Sequence, residues 1–191
     1  MRLASEPARV FRSLSLFPAT FDAAAEESVC ADAEHVQLSD LVRRSLVLYD
    51  DSGKRYRLHD LTRLFADAKL SLEERVVGEK RFATHYKNVL AAANELYREG
   101  SELLLRGLGL FDLEWGNIQA GHAWVAAKAI AADVEVARLG ISYPTAGADL
   151  LNLRQHSREQ IRWLEIALAA AQRIGASSWR SQCIGQSGHC L

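Results

Sequence analysis

The sequence predicts a mainly α-helical protein with one short β-hairpin. Three observations carry that expectation. Alanine is abundant and there are only three prolines, a composition that favours helix. Apolar residues recur at spacings of three and four along most of the chain. One stretch, residues 45–58, departs from that period and gathers β-forming residues around a turn-forming tetrapeptide.

The bulk numbers narrow the function classes. A hydrophobic fraction of 49% with 25% charged residues is ordinary for a soluble helical protein of one or two domains. A net charge of −1 gives no overall field toward nucleic acid or an anionic membrane. No apolar run approaches the roughly 20 residues of a membrane span, and Met1 to Glu6 lacks a signal-peptide core. Cys30, Cys183 and Cys190 are few, odd in number and scattered, which fits a reducing compartment and a cytoplasmic location.

The elements follow in order. Val10, Phe11, Leu14 and Phe17 share a helical face, and Pro18 stops that helix. Asp22 can cap a short helix from Ala23 to Cys30. Leu38-Ser39-Asp40 begins a third helix. Ser45 to Tyr49, the turn Asp50-Asp51-Ser52-Gly53 and the alternating Lys54 to Leu58 make the hairpin. Asp60 can cap a closing helix, Leu61 to Leu70. Three helices, a hairpin and a closing helix form a winged-helix arrangement over residues 1–70.

Ser71-Leu72-Glu73-Glu74 is a capping box. It opens a helix expected to run to Glu99, with Val76, Ala83, Tyr86, Leu90, Ala93 and Tyr97 as its apolar stripe and Gly100 as its end. Residues 101–113 carry Gly107 and Gly109, which weakens the case for helix there. Glu114 to Ala129 reads as helix, with Trp115, Ile118 and Trp124 as core. Residues 71–130 thus form a helical linker region. Val134 to Leu153 reads as helix, interrupted or kinked near Tyr143-Pro144. Ser157-Arg158-Glu159-Gln160 is a second capping box, and Gly175 is expected to end the helix behind it. Residues 131–175 read as tetratricopeptide-repeat-like (TPR-like) helices.

From 176 to 191 the composition changes and periodicity is lost. Read one nucleotide later, Ser181 to Leu191 can be encoded as Ala-Asn-Ala-Leu-Gly-Asn-Leu-Gly-Ile-Ala-Tyr, close to the first helix of a tetratricopeptide repeat. A frameshift between about Gly175 and Ser181 is therefore one expectation for this irregular tail. An ordinary flexible terminus is another. A zinc site at Cys183, His189 and Cys190 lacks regular spacing and a fourth ligand.

Three stretches carry a family resemblance. They are Arg9 to Asp22, Leu38 to Val47 with Tyr56-Arg57-Leu58-His59-Asp60-Leu61, and Glu114 to Ala120 followed by Trp124. With them the chain resembles bacterial STAND-class signalling ATPases of the NB-ARC type that carry C-terminal tetratricopeptide repeats. The resemblance implies a mainly α protein, a winged-helix domain with one hairpin followed by a TPR-like region. It also implies that His59 contacts the β-phosphate of ADP, with Asp60 supporting the corner. The phosphate loop, its lysine and the metal-binding aspartate of the family do not occur in these residues. The chain is thus expected to hold no cofactor itself, with ADP or ATP held by an upstream nucleotide-binding domain, and to be no enzyme. Its expected partners are that domain, downstream repeats and other proteins.

Two rival readings remain. In a DNA-binding winged helix, Ser39 to Leu48 would enter a groove and Lys54, Arg55 and Arg57 would meet phosphates. Between Asp40 and Lys69, seven basic residues face five acidic ones, a thin surplus for that role. In a plain interaction scaffold, one repeat-like helix pair leaves apolar residues such as Trp163 and Leu164 exposed for stacked neighbours or self-association. Trp115 and Trp124 read as core. His85, His122 and His156 read as surface or partly buried helical residues, and Ser13, Ser15 and Ser28 lack a His/Asp partner set.

Overall fold

A computed structural model describes residues 3–128 and 134–186, with side chains up to Gly175. The protein is mainly helical, and its described β-structure is one two-stranded antiparallel sheet. The elements are α1 (Ser5–Ser13) with a 3-10 turn (Leu14–Leu16), α2 (Ala23–Cys30), α3 (Val36–Arg43), β1 (Leu48–Asp50), β2 (Arg55–Arg57), α4 (Asp60–Asp67), α5 (Leu72–Glu99), α6 (Ser101–Lys128), α7 (Val134–Ala146), α8 (Ala148–Arg154) and α9 (Ser157–Gln186). The chain divides into two compact units, residues 1–86 with 113–121, and residues 87–112 with 122–191.

The first unit is built on an aromatic centre. Phe17 stacks on Phe21 at 4.3 Å and meets Phe82 and Tyr86 edge-on. Val10, Phe11, Leu14 and Phe17 are all buried as their spacing requires, each worth about 1.5–3 kcal/mol of apolar burial. Asp22 caps α2 by accepting from Ala25 N–H at 2.8 Å. α3 begins two residues before its expected start, because Asp32 accepts from the N–H groups of Gln37 and Leu38 at 2.8 and 3.0 Å. The Ser71 capping box forms: Glu74 N–H donates to Ser71 Oγ at 3.1 Å, and Ser71 N–H donates to Glu74 Oε2 at 3.0 Å. Arg12 grips the same carboxylate, with Nη2 to Oε1 at 2.5 Å and Nε to Oε2 at 3.0 Å. That pairing holds Glu74 at a pKa of about 2.

In the second unit, Leu90, Ala93, Val125, Tyr143, Leu150 and Ala170 are fully buried. Gly100, with φ +73°, ends α5 as expected. Residues 101–113, however, belong to the uninterrupted helix α6. Gly107 is a contact glycine rather than a breaker. A Cβ there would lie 2.6 Å from both Ala93 O and Tyr97 N, so α5 and α6 touch backbone to backbone. Pro144 lies inside α7, and the break comes three residues later at Gly147.

Two further expectations are corrected. The Ser157 box does not form as drawn. His156 precedes α9 and accepts from Arg158 N–H through Nδ1 at 3.3 Å, while Gln160 Nε2 donates back to Leu151 O at 2.6 Å. Gly175 does not end α9, which continues to Gln186. A helical glycine costs only about 1 kcal/mol against alanine, too little alone to stop a long helix. The zinc reading falls on Cys183, His189 and Cys190, whose side chains lie outside the described residues.

Candidate functional site

The hairpin and the corner behind it are assembled from a buried anchor outward. Backbone pairing sets Leu48 opposite Arg57, Tyr49 opposite Tyr56 and Asp50 opposite Arg55. Phe21 adds a bridge, its N–H donating to Tyr56 O at 3.0 Å and its carbonyl accepting from Tyr56 N–H at 2.8 Å. Strand alternation then turns Arg55 inward, where it is only 8% exposed.

Arg55 ends in a closed polar network. Its Nη1 bonds the Glu114 carboxylate on α6, its Nη2 donates to Thr20 O at 2.6 Å and its Nε to Thr20 Oγ1 at 3.3 Å. Asn117, one helical turn beyond Glu114, donates to Thr20 O and to Glu114 Oε2, both at 2.9 Å. Glu114 is 3% exposed and Asn117 fully buried. A buried ion pair persists only when extra hydrogen bonds satisfy its remaining atoms, and those bonds are present except at Asn117 Oδ1.

Two residues beyond Arg57 the chain reaches His59, in extended backbone at φ −64° and ψ 144°. His59, not Asp60, is the N-cap of α4: its Nδ1 accepts from Leu61 N–H at 3.4 Å. Asp60 is the first helical residue, where a carboxylate complements the positive helix end. Because Nδ1 accepts, the proton of a neutral imidazole sits on Nε2. His59 is exposed, so the corner presents a ring N–H donor.

α4 faces outward with its apolar side. Only Ala66 is buried, while Leu61, Leu64 and Phe65 are 72%, 57% and 60% exposed. Leu61 and Phe65, with Leu3, Phe11, Arg44, Leu46 and Thr62, line a cavity of about 420 Å³. A donor at a corner, an apolar strip and a groove therefore adjoin one another on the first unit.

The other sequence candidates scatter. Lys54 pairs with Asp51, and Arg43 and Arg44 both pair with Asp40. Ser13 and Ser15 bond helix carbonyls. His85 is half-buried, and burial lowers its pKa. His122 is 4% exposed, stacked on Trp163 at 3.7 Å, and burial lowers its pKa to about 4. Trp163 is 4% exposed, correcting the expectation that it faces solvent, whereas Leu164 does at 58%. Trp115 and Trp124 are half-buried.

Sequence reading missed the Arg55–Glu114–Asn117 network. Its signal was a carboxylate sitting among apolar positions, three residues after Phe111 and four before Ile118. Sequence reading also missed Glu26, fully buried and 2.8 Å from the Nδ1 of His35. Burial raises the Glu26 pKa to about 7, against the opposing bond to His35.

Among the described residues no cluster of three or more His, Cys, Asp or Glu side chains is placed to hold a metal, and no helix is long and apolar enough to cross a membrane. Comparison with protein-family models, curated proteins and solved structures returned no match.

Proposed function

We propose that this chain is a non-catalytic regulatory part of a nucleotide-switched signalling protein. On this reading residues 1–70 are a winged-helix module, and His59 senses ADP held by an NB-ARC-type domain. The TPR-like helices of the second unit couple that state to protein binding. One observation carries the reading: His59 caps α4 through Nδ1, which leaves Nε2 as the ring's N–H donor on an exposed residue next to the uncovered Leu61, Leu64 and Phe65 of α4. A docked nucleotide domain would cover the strip and bring a phosphate oxygen to the donor.

The energetics suit a switch. An N–H bond to a phosphate oxygen is charge-assisted and worth about 1.5–3 kcal/mol. Made only in the closed ADP state, it shifts the closed/open balance roughly 10- to 150-fold. The experiment joins this chain to an NB-ARC-type nucleotide domain and follows release of fluorescent ADP. His59→Ala is expected to speed release by at least about tenfold. Release at the parent rate removes the sensor role.

A second reading is a plain interaction scaffold. Ile161, Leu164 and Leu168 on α9 are 54%, 58% and 59% exposed at spacings of three and four, the unstacked face such a scaffold presents. The DNA-binding alternative is less well supported, because Arg55 is spent on Glu114 and Thr20. Salt-titrated binding to random duplex DNA separates that case.

A further inference from the structure

The second unit holds a cavity of about 280 Å³ where the α7–α8 junction meets the start of α9. Pro144, Leu151, Trp163 and Leu164 supply apolar walls, Asn152, Gln155 and Gln160 carry amides, and no charged residue lines it. Gln155 is 7% exposed, and neither its Oε1 nor its Nε2 has a hydrogen-bond partner. Buried amides are almost always paired, so an unpaired one calls for an explanation.

We infer that this cavity binds a small, uncharged, flat ring carrying an amide edge, meaning an N–H and a C=O side by side, as in a pyridone or a lactam. The inference stands apart from the nucleotide-switch reading. A primary carboxamide presents a donor and an acceptor together, and a cyclic amide returns the complementary pair in one plane. Both orphan atoms of Gln155 would then be satisfied by one ligand. Both amide atoms are closed off from the cavity in this structure, so binding requires the side chain to swing about its inner torsions into another staggered rotamer while its backbone stays fixed. The backbone is held by Gln155 N–H donating to Leu151 O at 2.9 Å and by Gln155 O accepting from Gln160 Nε2 at 3.2 Å.

The walls fit the same ligand. Trp163 is pinned by its stack on His122, at 3.7 Å and 12°, and offers a rigid aromatic surface. Burial keeps His122 neutral at pH 7, with its pKa near 4. No charged residue lines the cavity, so a charged ligand would lose its hydration without gaining a counter-charge. The volume falls just below the range of drug-sized pockets, about 300 to 1,000 Å³, which suits a single small ring.

The test uses the whole chain with 2-pyridone as probe and N-methyl-2-pyridone as control, titrated by ligand-observed NMR. The wild-type protein should bind 2-pyridone saturably and the N-methyl compound about tenfold or more weakly, since methylation removes the donor. Gln155→Leu should erase that preference and leave the two probes alike. Leu164→Lys, at an exposed rim position, should weaken 2-pyridone without altering the circular dichroism. If Gln155→Leu fails to fold, the two probes on the wild-type chain decide the matter. Absent saturation by 2-pyridone, equal binding of both probes to the wild type, or a preference that survives in a folded Gln155→Leu variant each overturns the proposal.

Discussion

Glu114→Gln is the sharpest test of how the hairpin is held. Glu114 is an acceptor on both oxygens, Oε1 for Arg55 Nη1 and Oε2 for Asn117 Nδ2. An amide in its place sets an NH2 group against one of those donors and leaves the Arg55 charge without its main partner. The next carboxylate, Asp22 Oδ2, is 3.9 Å from Nη1 and half-exposed. Breaking one side of a buried pair costs about 3–5 kcal/mol. Thr20 O still binds Arg55, so the low end, about 3 kcal/mol, is expected. For a chain of this length that is on the order of a 10 °C drop in midpoint. The double variant Arg55→Met/Glu114→Leu removes both charges and should recover most of the loss. Urea unfolding followed by circular dichroism measures all three. A single-variant cost under about 1 kcal/mol, or a double variant no more stable than Glu114→Gln, would refute this account of the network.

Glu26 should make stability fall with rising pH. Its folded pKa of about 7 lies above the ordinary carboxylate value of 4.5, so the unfolded chain releases this proton first. Stability is then lost between pH 4.5 and 7 and is level above. Relative to Glu26→Gln, the wild type should lose on the order of 2 kcal/mol between pH 5 and 8, with His35, Asp32 and Glu27 the neighbouring charges; a pH-independent difference refutes it. Glu74 behaves oppositely: its depressed pKa means its contribution is present above pH 4.5 and disappears as pH falls toward 2. Because the pair is partly solvated, Glu74→Gln should cost only about 1 kcal/mol at pH 7 and nothing at pH 2. Gly107→Ala meets α5 backbone at 2.6 Å, whereas a Cβ at Gly109 meets nothing within 4 Å. Melting curves should show the first destabilised by more than about 2 kcal/mol and the second stabilised by about 0.5–1 kcal/mol.

Local chemistry was legible in the sequence. Asp22, the Ser71–Glu74 box and Gly100 each act on backbone within a few residues, and each sits where spacing put it. Long-range chemistry was not. Gly107 resembles a breaker until α5 is known to lie against it, and the glycine at 175 likewise sits inside a helix. Arg55 read as a wing cation for phosphates because its partner lies 59 residues away. At the corner, both His59 and Asp60 were visible, but the capping role expected of Asp60 falls to His59. An imidazole can accept from the helix N–H two residues on, and that displaces the carboxylate into the first turn.

Glu74 does two jobs with one carboxylate. It closes the start of α5 and clasps Arg12 of α1. A protease nick or deletion ahead of Ser13 would therefore be felt sixty residues downstream, as faster amide exchange in the opening turn of a 28-residue helix.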